Sequence, residues 1–273
     1  MISANGGFLS VLNKLWRILM TGLCFAGFGI GGLFLSLVWF NILLLCIRDR
    51  NQRKRVARQS ISYAFRFFFY FMRWVRVLDH QVAGFEGLQN VQRLILVANH
   101  PTLLDYVLLA AYIPQLDCAV KGDLLRNPFL CGVVKAADYL PNSEEPEVFL
   151  QRCEERLAQG EVILIFPEGT RTREKLPVKL QRGAANMAIR CNCSLQLIKI
   201  WCTPPIVTKE LKWYEVSERK ATLYAQVCER IEIDTFLDGL DANDRSMALA
   251  ARRLTGLLLQ RLSAFKVCTF GRR

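Results

Sequence analysis

The chain has 273 residues, of which 52% are hydrophobic and 22% are charged. A disordered chain is excluded, because such chains are poor in apolar residues and rich in charge. The formal net charge is +12, but residues 1–76 hold eleven Lys or Arg and one acid, which leaves +2 for residues 77–273. A nucleic-acid-binding protein usually carries positive charge on its folded domain. Here the charge lies beside apolar sequence, which favours a membrane-lipid partner and no nucleic acid.

The first predicted element is a long apolar helix. Residues 18–47 contain no charged side chain, and a helix of this length reaches ~45 Å against a hydrocarbon core of ~30 Å. Glycines within the run also permit a break and a shallow re-entrant hairpin. A cleaved signal peptide is the other alternative, although the run is longer than a typical h-region. Basic residues are more numerous after the run than before it, which places the following domain in the cytoplasm, at the inner membrane.

Two further segments complete a predicted membrane anchor over residues 1–80. Residues 48–58 form a basic collar. Residues 60–78 read as a helix in which arginines alternate with many aromatic side chains, a composition that suits the lipid headgroup layer. The alternative for this helix is packing against the main domain. Residues 81–273 then form a cytoplasmic catalytic domain.

The main domain alternates between strand-like and helix-like segments. The pattern predicts strands at 93–98, 118–121, 161–166, 195–202 and 221–233, and helices at 103–112, 127–137, 144–159, 181–190 and 244–265. Alternation of this kind predicts an α/β fold with a mixed, mostly parallel sheet flanked by helices. Functional side chains in such folds lie beyond the carboxyl ends of the strands.

The cysteines and histidines argue against a metal site. The chain has ten cysteines without a CxxC pair and only two histidines, so a structural zinc ion is not expected. The scattered spacing predicts free, mostly buried thiols in a reducing compartment.

A first candidate site follows the strand at 93–98, in the stretch NHPTLLD at 99–105. Thr102 can cap the next helix, which places Asp105 in its first turn. Asp105 then has two possible roles. It can return to the Thr102 backbone as a capping box, or it can accept a hydrogen bond from His100 and leave the other imidazole nitrogen to take a proton from a hydroxyl.

A second candidate site follows the strand at 161–166. Gly169 permits a tight turn, from which Glu168, Thr170 and Arg171 project. An arginine at this place can hold a phosphate or carboxylate. A surface turn with a Glu–Arg pair is the alternative, and it is less favoured if the two strands are parallel neighbours.

These stretches resemble the motifs of the glycerolipid acyltransferases, the lysophospholipid or 1-acylglycerol-3-phosphate acyltransferase family. NHPTLLD is similar to that family's NHxxxxD signature, and FPEGTR at 166–171 matches its second motif without departures. The resemblance covers residues 80–235. It implies transfer of an acyl group from a thioester, acyl-CoA or acyl carrier protein, to a hydroxyl of a lysolipid, with no cofactor.

The resemblance also implies a role for each site residue. His100 is the general base and Asp105 orients it. The acceptor head group is bound by Lys121 and by the four residues of the second motif, Glu168, Gly169, Thr170 and Arg171. Backbone N–H groups at 102–105 are expected to stabilise the oxyanion. The chain has no GxSxG, which favours direct transfer over an acyl-serine intermediate.

One departure bears on the acceptor. The family's middle motif ends in an arginine that helps to bind the acceptor phosphate, whereas the stretch at 137–142 reads ADYLPN. The chain resembles a divergent bacterial branch. The acceptor is thus a 1-acylglycerol-3-phosphate-like lysolipid or, as the alternative, an aminolipid, a glycolipid or another hydroxylated lipid. Two other functions remain open, a non-catalytic lipid-binding protein and a lipid hydrolase.

Overall fold

The structure is a computed structural model that describes residues 4–120, 122–127, 129–142, 145–173, 176–238 and 244–264. It confirms the predicted mixed, mostly parallel sheet flanked by helices. The strands are β1 Leu78–Ala83, β2 Leu94–Ala98, β3 Leu116–Val120, β4 Leu140–Pro141, β5 Val162–Ile165, β6 Leu195–Thr203 and β7 Ala221–Ile231. Their order in the sheet is β1-β7-β6-β2-β5-β3-β4, and only the β6–β7 pair is antiparallel.

The helices lie on both faces of this sheet. They are α1 Ala4–Phe34, α2 Phe40–Cys46, α3 Arg50–Trp74, α4 Asp105–Tyr112, α5 Cys131–Ala136, α6 Pro146–Ala158, α7 Gly183–Arg190, α8 Asp234–Leu237 and α9 Asp244–Ala264. Alternate residues of β2 enter two different hydrophobic cores. Leu94 and Leu96 pack with helices α1 to α5, while Ile95 and Val97 pack with α6, α7 and α9. Burial on both faces explains why this strand is continuously apolar.

The long apolar run is helical from α1 into α2, with a short π-helical segment at Leu35–Trp39. The glycines of the run therefore do not form the hairpin that the sequence also allowed. Ser10–Cys46 is long and apolar enough to cross a membrane by length and composition. The segment also packs antiparallel to α3, since Trp16 Nε1 donates to Val75 O (3.1 Å) and Trp39 Nε1 donates to Ser60 Oγ (2.9 Å).

The aromatic helix α3 begins with a capped turn and ends earlier than predicted. Asp49 caps its first turn by accepting from Gln52 N (2.6 Å). At the other end, Arg76 has φ 60° and Val77 N donates to Met72 O (3.0 Å), as in a Schellman motif. The prediction of helix over residues 75–78 is therefore wrong, because this left-handed residue ends the helix and lets β1 begin at Leu78.

The first turns of α3 supply cations to a buried ion cluster. Arg58 is 2% exposed and contacts Asp117 (3.0 Å) and Glu161 (3.0 Å). Lys54 also pairs with Glu161. Part of the predicted basic collar at 48–58 thus faces the sheet rather than a surface. Burial raises the pKa of Asp117 to about 7, whereas Arg58 and Lys54 overcome burial and lower the pKa of Glu161 to about 2.

The opposite side of α3 carries an aromatic stripe. Its members are Tyr63, Phe67, Tyr70 and Trp74, which are 60% to 77% exposed. The spacing of four, three and four residues places them on one side of the helix. Exposed apolar residues also lie on α1 and α2. Clusters of exposed apolar side chains are typical of interaction sites.

Candidate active site

Both predicted loops leave the same edge of the sheet. β2 and β5 are parallel neighbours in the register Leu94↔Val162, and β6 is the parallel neighbour of β2 on its other side. The carboxyl ends of all three strands therefore meet at one edge, as expected for a site in an α/β sheet. This arrangement brings NHPTLLD, FPEGTR and the loop after β6 together.

His100 and Asp105 form a hydrogen-bonded pair at this edge. His100 Nδ1 lies 2.8 Å from Asp105 Oδ2. The aspartate side chain is fully buried, whereas the imidazole is 21% exposed. Burial raises the pKa of Asp105, and hydrogen bonds from His100 and Thr102 partly offset that rise. An Nδ1–H that donates to this carboxylate leaves Nε2 with a free lone pair.

The two roles foreseen for Asp105 coexist. Besides His100, its carboxylate accepts from Thr102 N at Oδ2 (2.7 Å) and from Thr102 Oγ1 at Oδ1 (2.5 Å). Thr102 Oγ1 also accepts from Leu104 N (3.2 Å), and helix α4 begins at Asp105. The contacts with Thr102 therefore hold the carboxylate in place while it binds the imidazole. The N-cap of α4 is Leu104 rather than the predicted Thr102, because the helix begins only at Asp105.

The second motif holds the His100 loop from the other side. His100 N donates to Glu168 Oε1 (3.0 Å), and Thr172 N donates to His100 O (2.7 Å). Thr172 Oγ1 also donates to Glu168 Oε1 (2.8 Å). The Phe166 ring stacks on the imidazole with centroids 4.2 Å apart and an interplanar angle of 21°. Backbone and ring of His100 are thus both fixed.

The remaining residues of the second motif turn toward the loop after β6. Arg171 Nη1 donates to Val207 O (3.0 Å) and to Thr208 O (2.7 Å). Lys209 Nζ donates to Thr170 Oγ1 (2.7 Å). Gly169 has φ 66°, and a Cβ there would lie 2.5 Å from Gln181 Nε2. The left-handed φ therefore favours glycine in this turn. Arg171 is already held by backbone carbonyls.

The expected oxyanion donors are occupied at three positions. Thr102 N donates to Asp105, Leu103 N donates to Val207 O (3.2 Å), and Leu104 N donates to Thr102 Oγ1. An N–H that already has a good acceptor is not available to a developing oxyanion. The expectation for residues 102–104 is therefore wrong, because these N–H groups shape the loop itself.

A cavity of about 1140 Å³ opens beside His100 and passes around the sheet edge. One limb is apolar and lies against the anchor helices, where it is lined by Phe25, Phe28, Phe65 and Phe68. The other limb lies against α6 and α7 and has a mixed lining, in which Phe149, Leu150 and Met187 lie beside Glu147, Gln181, Asn186 and Arg190. It is called the polar limb below because it carries these polar side chains. A volume of this order fits a lipid-sized ligand.

The structure brings most predicted site residues together around this cavity. His100, Gly169, Thr170 and Arg171 line it, while Asp105 and Glu168 support His100 from behind. Lys121 lies outside the described residues. The stretch that lacks the family's arginine ends in Asn142, which is exposed and lines the cavity.

Sequence reasoning missed three cavity residues, Lys209, Asn186 and Arg190. Lys209 stands five residues beyond Pro204, in the loop after β6, and no motif marks it. Asn186 and Arg190 are four residues apart on a helix whose other face is small and apolar. That spacing was visible in the sequence, and it could have identified an exposed polar face.

Comparison with known proteins agrees with this geometry. A family model described as Acyltransferase matches residues 80–208. The chain is 29% identical over 147 residues to a 1-acyl-sn-glycerol-3-phosphate acyltransferase of Caenorhabditis elegans, acl-2, covering 48% of this chain and 49% of that protein. It is 30% identical over 159 residues to the 1-acyl-sn-glycerol-3-phosphate acyltransferase of Helicobacter pylori, covering 50% of this chain and 66% of that protein. The match thus spans about half of the first relative and just under two thirds of the second.

A solved structure shares the fold. The 1-acyl-sn-glycerophosphate (LPA) acyltransferase PlsC from Thermotoga maritima superposes with a TM-score of 0.62 at 17% identity, covering 96% of this chain and 99% of that one. The matched region contains both motifs and the cavity edge that they build. The chain therefore carries an acyltransferase-family domain over residues 80–208.

Proposed function

We propose that the protein is an O-acyltransferase that moves a fatty acyl group from a thioester donor to the hydroxyl of a lysolipid resembling 1-acylglycerol-3-phosphate. The observation that carries the proposal is the His100–Asp105 pair, which opens onto a cavity with an apolar and a polar limb. The apolar limb suits acyl chains. The polar limb suits charged parts of the substrates.

The reaction needs only the groups at the sheet edge. His100 Nε2 takes the proton of the acceptor hydroxyl as its oxygen attacks the thioester carbonyl carbon. The tetrahedral intermediate then breaks its C–S bond, and the protonated imidazole returns the proton to the leaving thiolate. The products are an ester and a free thiol, and His100 is regenerated. General-base assistance of this type contributes ~10²–10⁴-fold to the rate.

The cysteines near the pair support transfer without an acyl-cysteine intermediate. Cys118 lines the cavity, and burial raises its thiol pKa far above the usual range. Burial also raises the pKa of Cys202, which interacts electrostatically with Asp105, to about 12. The thiolate is the nucleophilic form of cysteine. Neither thiol is therefore suited to attack a thioester at neutral pH.

The acceptor assignment is supported by the relatives' names and by a cation of the site. Lys209 lines the cavity beside Thr170 and can attract an anionic head group. Asn142 ends the stretch that lacks the family's arginine. Because this side chain is a neutral amide rather than a cation, it favours the alternative of a non-phosphate acceptor.

We further propose that the protein is membrane-bound, at the inner membrane with its catalytic domain in the cytoplasm. The apolar sides of α1 and α2 and the aromatic stripe of α3 would enter the lipid. Tyr and Trp are typical of the membrane–water interface. In this arrangement the apolar limb of the cavity, lined by Phe25 and Phe65, faces the source of lysolipid.

The central test is thiol release from an acyl thioester in detergent micelles with a panel of lysolipids, including lysophosphatidate, lyso-aminolipid and lyso-glycolipid. Wild type is expected to release thiol only when an acceptor is present. Release without any acceptor would indicate a hydrolase instead.

The same assay with His100→Ala is expected to lose about 10²–10⁴-fold in rate. His80→Gln is the matched control, because His80 bonds Tyr112 OH (2.7 Å) away from the cavity. Equal rates for wild type and His100→Ala with every acceptor would contradict the proposed function and leave a lipid-binding role.

A further inference from the structure

The exposed face of α7 carries two arginines at the mouth of the polar limb. Arg182 precedes the helix, and Asn186 and Arg190 follow at intervals of four residues, so the three side chains share one side. Ala184, Ala185 and Met187 on the other side are buried in the core. The amphipathic character of this short helix thus directs its cations outward.

This face borders both the main cavity and an adjoining cleft of about 160 Å³. Asn186 and Arg190 line the two spaces, and Arg182 lines the cleft. Within the described part of the chain, neither guanidinium has a hydrogen-bonding or ion-pairing partner. Among the described residues that line the cleft, Asp244 is the one carboxylate beside the two arginines. The guanidinium fork is well suited to phosphate oxygens.

The position of α7 points to the water-soluble substrate. α7 belongs to the core with α6 and α9, on the face of the sheet opposite to α1 and α3. Its limb of the cavity therefore lies on the other face of the sheet from α3, the helix that carries the aromatic stripe. A lysolipid held in lipid would approach His100 from the stripe side, and a thioester donor in water would approach from the α7 side.

Three cations of the other basic stretch are not available for donor binding. Lys54 and Arg58 are enclosed in the ion cluster with Asp117 and Glu161. Arg50 pairs with Asp138 (3.3 Å). These cations are satisfied within the protein, whereas those of α7 are not.

We propose that Arg182, Asn186 and Arg190 bind the phosphate of the pantetheine arm of the acyl donor. Coenzyme A and acyl carrier protein both present this phosphate, followed by a flexible arm that ends in the thioester. The arm would follow the polar limb and place the thioester carbonyl beside His100. The inference rests on the proposed function, because it names the site of that reaction's donor.

The direct test is binding, which requires no turnover. Coenzyme A, 4′-phosphopantetheine and pantetheine are titrated separately against the full chain in detergent micelles. Wild type is expected to bind phosphopantetheine roughly tenfold more tightly than pantetheine, the value of one charge-assisted hydrogen bond. The Arg182→Gln/Arg190→Gln variant is expected to bind both equally. Arg253→Gln, an exposed arginine of α9 outside both spaces, should behave as wild type.

The proposal is overturned if wild type binds phosphopantetheine and pantetheine with equal affinity. It is also overturned if the preference for phosphopantetheine survives in the double variant. If wild type shows the preference but acylates no lysolipid, the proposed function fails while the phosphate site stands.

Kinetic measurements distinguish coenzyme A from acyl carrier protein as the source of the phosphate. In the double variant the KM for acyl-CoA and for acyl carrier protein is expected to rise roughly tenfold. The KM for lysolipid and turnover of an acyl-N-acetylcysteamine donor, which lacks the phosphate, should not change. A rise confined to acyl-CoA would assign the arginines to the nucleotide phosphates and contradict a shared arm site. A loss that persists with acyl-N-acetylcysteamine would also contradict it.

Discussion

Asp105 and Asp117 are both fully buried aspartates that contact a basic side chain, and burial raises the pKa of each. The basic partners of the two aspartates differ in whether a substrate can reach them. His100 lines the cavity at the sheet edge, whereas Arg58 is enclosed between α3 and the sheet. A raised carboxyl pKa therefore marks desolvation in both places. Whether the pair does chemistry depends on whether its base can reach a substrate.

The largest expected effect tests the accessible pair. Asp105→Asn should lower kcat/KM by about 10²–10⁴-fold, because an amide N–H that donates to Nδ1 would move the proton to Nε2 and block the base. The measurement is thiol release with a saturating acceptor, beside thermal unfolding in the same detergent. Retention of more than a tenth of wild-type activity would remove the orienting role of Asp105.

The enclosed pair should show the reverse behaviour. Arg58→Met is expected to lower the free energy of unfolding by about 3–5 kcal/mol, because it leaves buried carboxylates without their partner. Activity per folded molecule should stay within about twofold, since Arg58 does not line the cavity. Thermal unfolding measures the first quantity, and thiol release divided by the folded fraction measures the second. The double variant Arg58→Met/Asp117→Asn should recover part of the loss. The contrast between the two aspartates is contradicted if Arg58→Met lowers the activity per folded molecule as much as Asp105→Asn does.

A smaller effect concerns acid stability. Glu161 has a pKa of about 2 in the folded protein against 4.5 for an ordinary glutamate. A lowered carboxyl pKa contributes stability that is present above pH 4.5 and is lost as the pH falls toward 2. Glu161→Gln should therefore be less stable than wild type by about 3 kcal/mol at pH 6, with the gap closing at low pH. Unfolding curves between pH 2 and 6 measure it, with exposed Glu155→Gln as control. A gap that stays constant with pH would contradict the ion-pair origin.

Local signals in the sequence predicted much of the fold and the centre of the site. β5 and β2 are short apolar runs between polar turns, and both site motifs follow them directly. β1 was missed because the stretch LDHQVA has neither a continuous apolar run nor clear alternation. The end of α3 depends on the left-handed Arg76, which composition does not reveal.

Other features depend on contacts between distant parts of the chain. The burial of Lys54 and Arg58 requires Asp117 and Glu161, more than 58 residues away. In the sequence these cations were indistinguishable from a solvated basic collar. Lys209 likewise reaches the site only because β6 lies beside β2. Pairing across the sheet, rather than local pattern, decides which charges are exposed.

The cavity that passes around the sheet edge has a kinetic consequence. Its apolar limb contacts Phe28 on one side of the sheet and its polar limb contacts Arg190 on the other. Two substrates that enter by different limbs do not exclude each other, so both can be bound before any bond breaks. The enzyme would then work through a ternary complex rather than by double displacement. The free thiol would compete with the donor alone, and the diacylated product would leave toward the lipid.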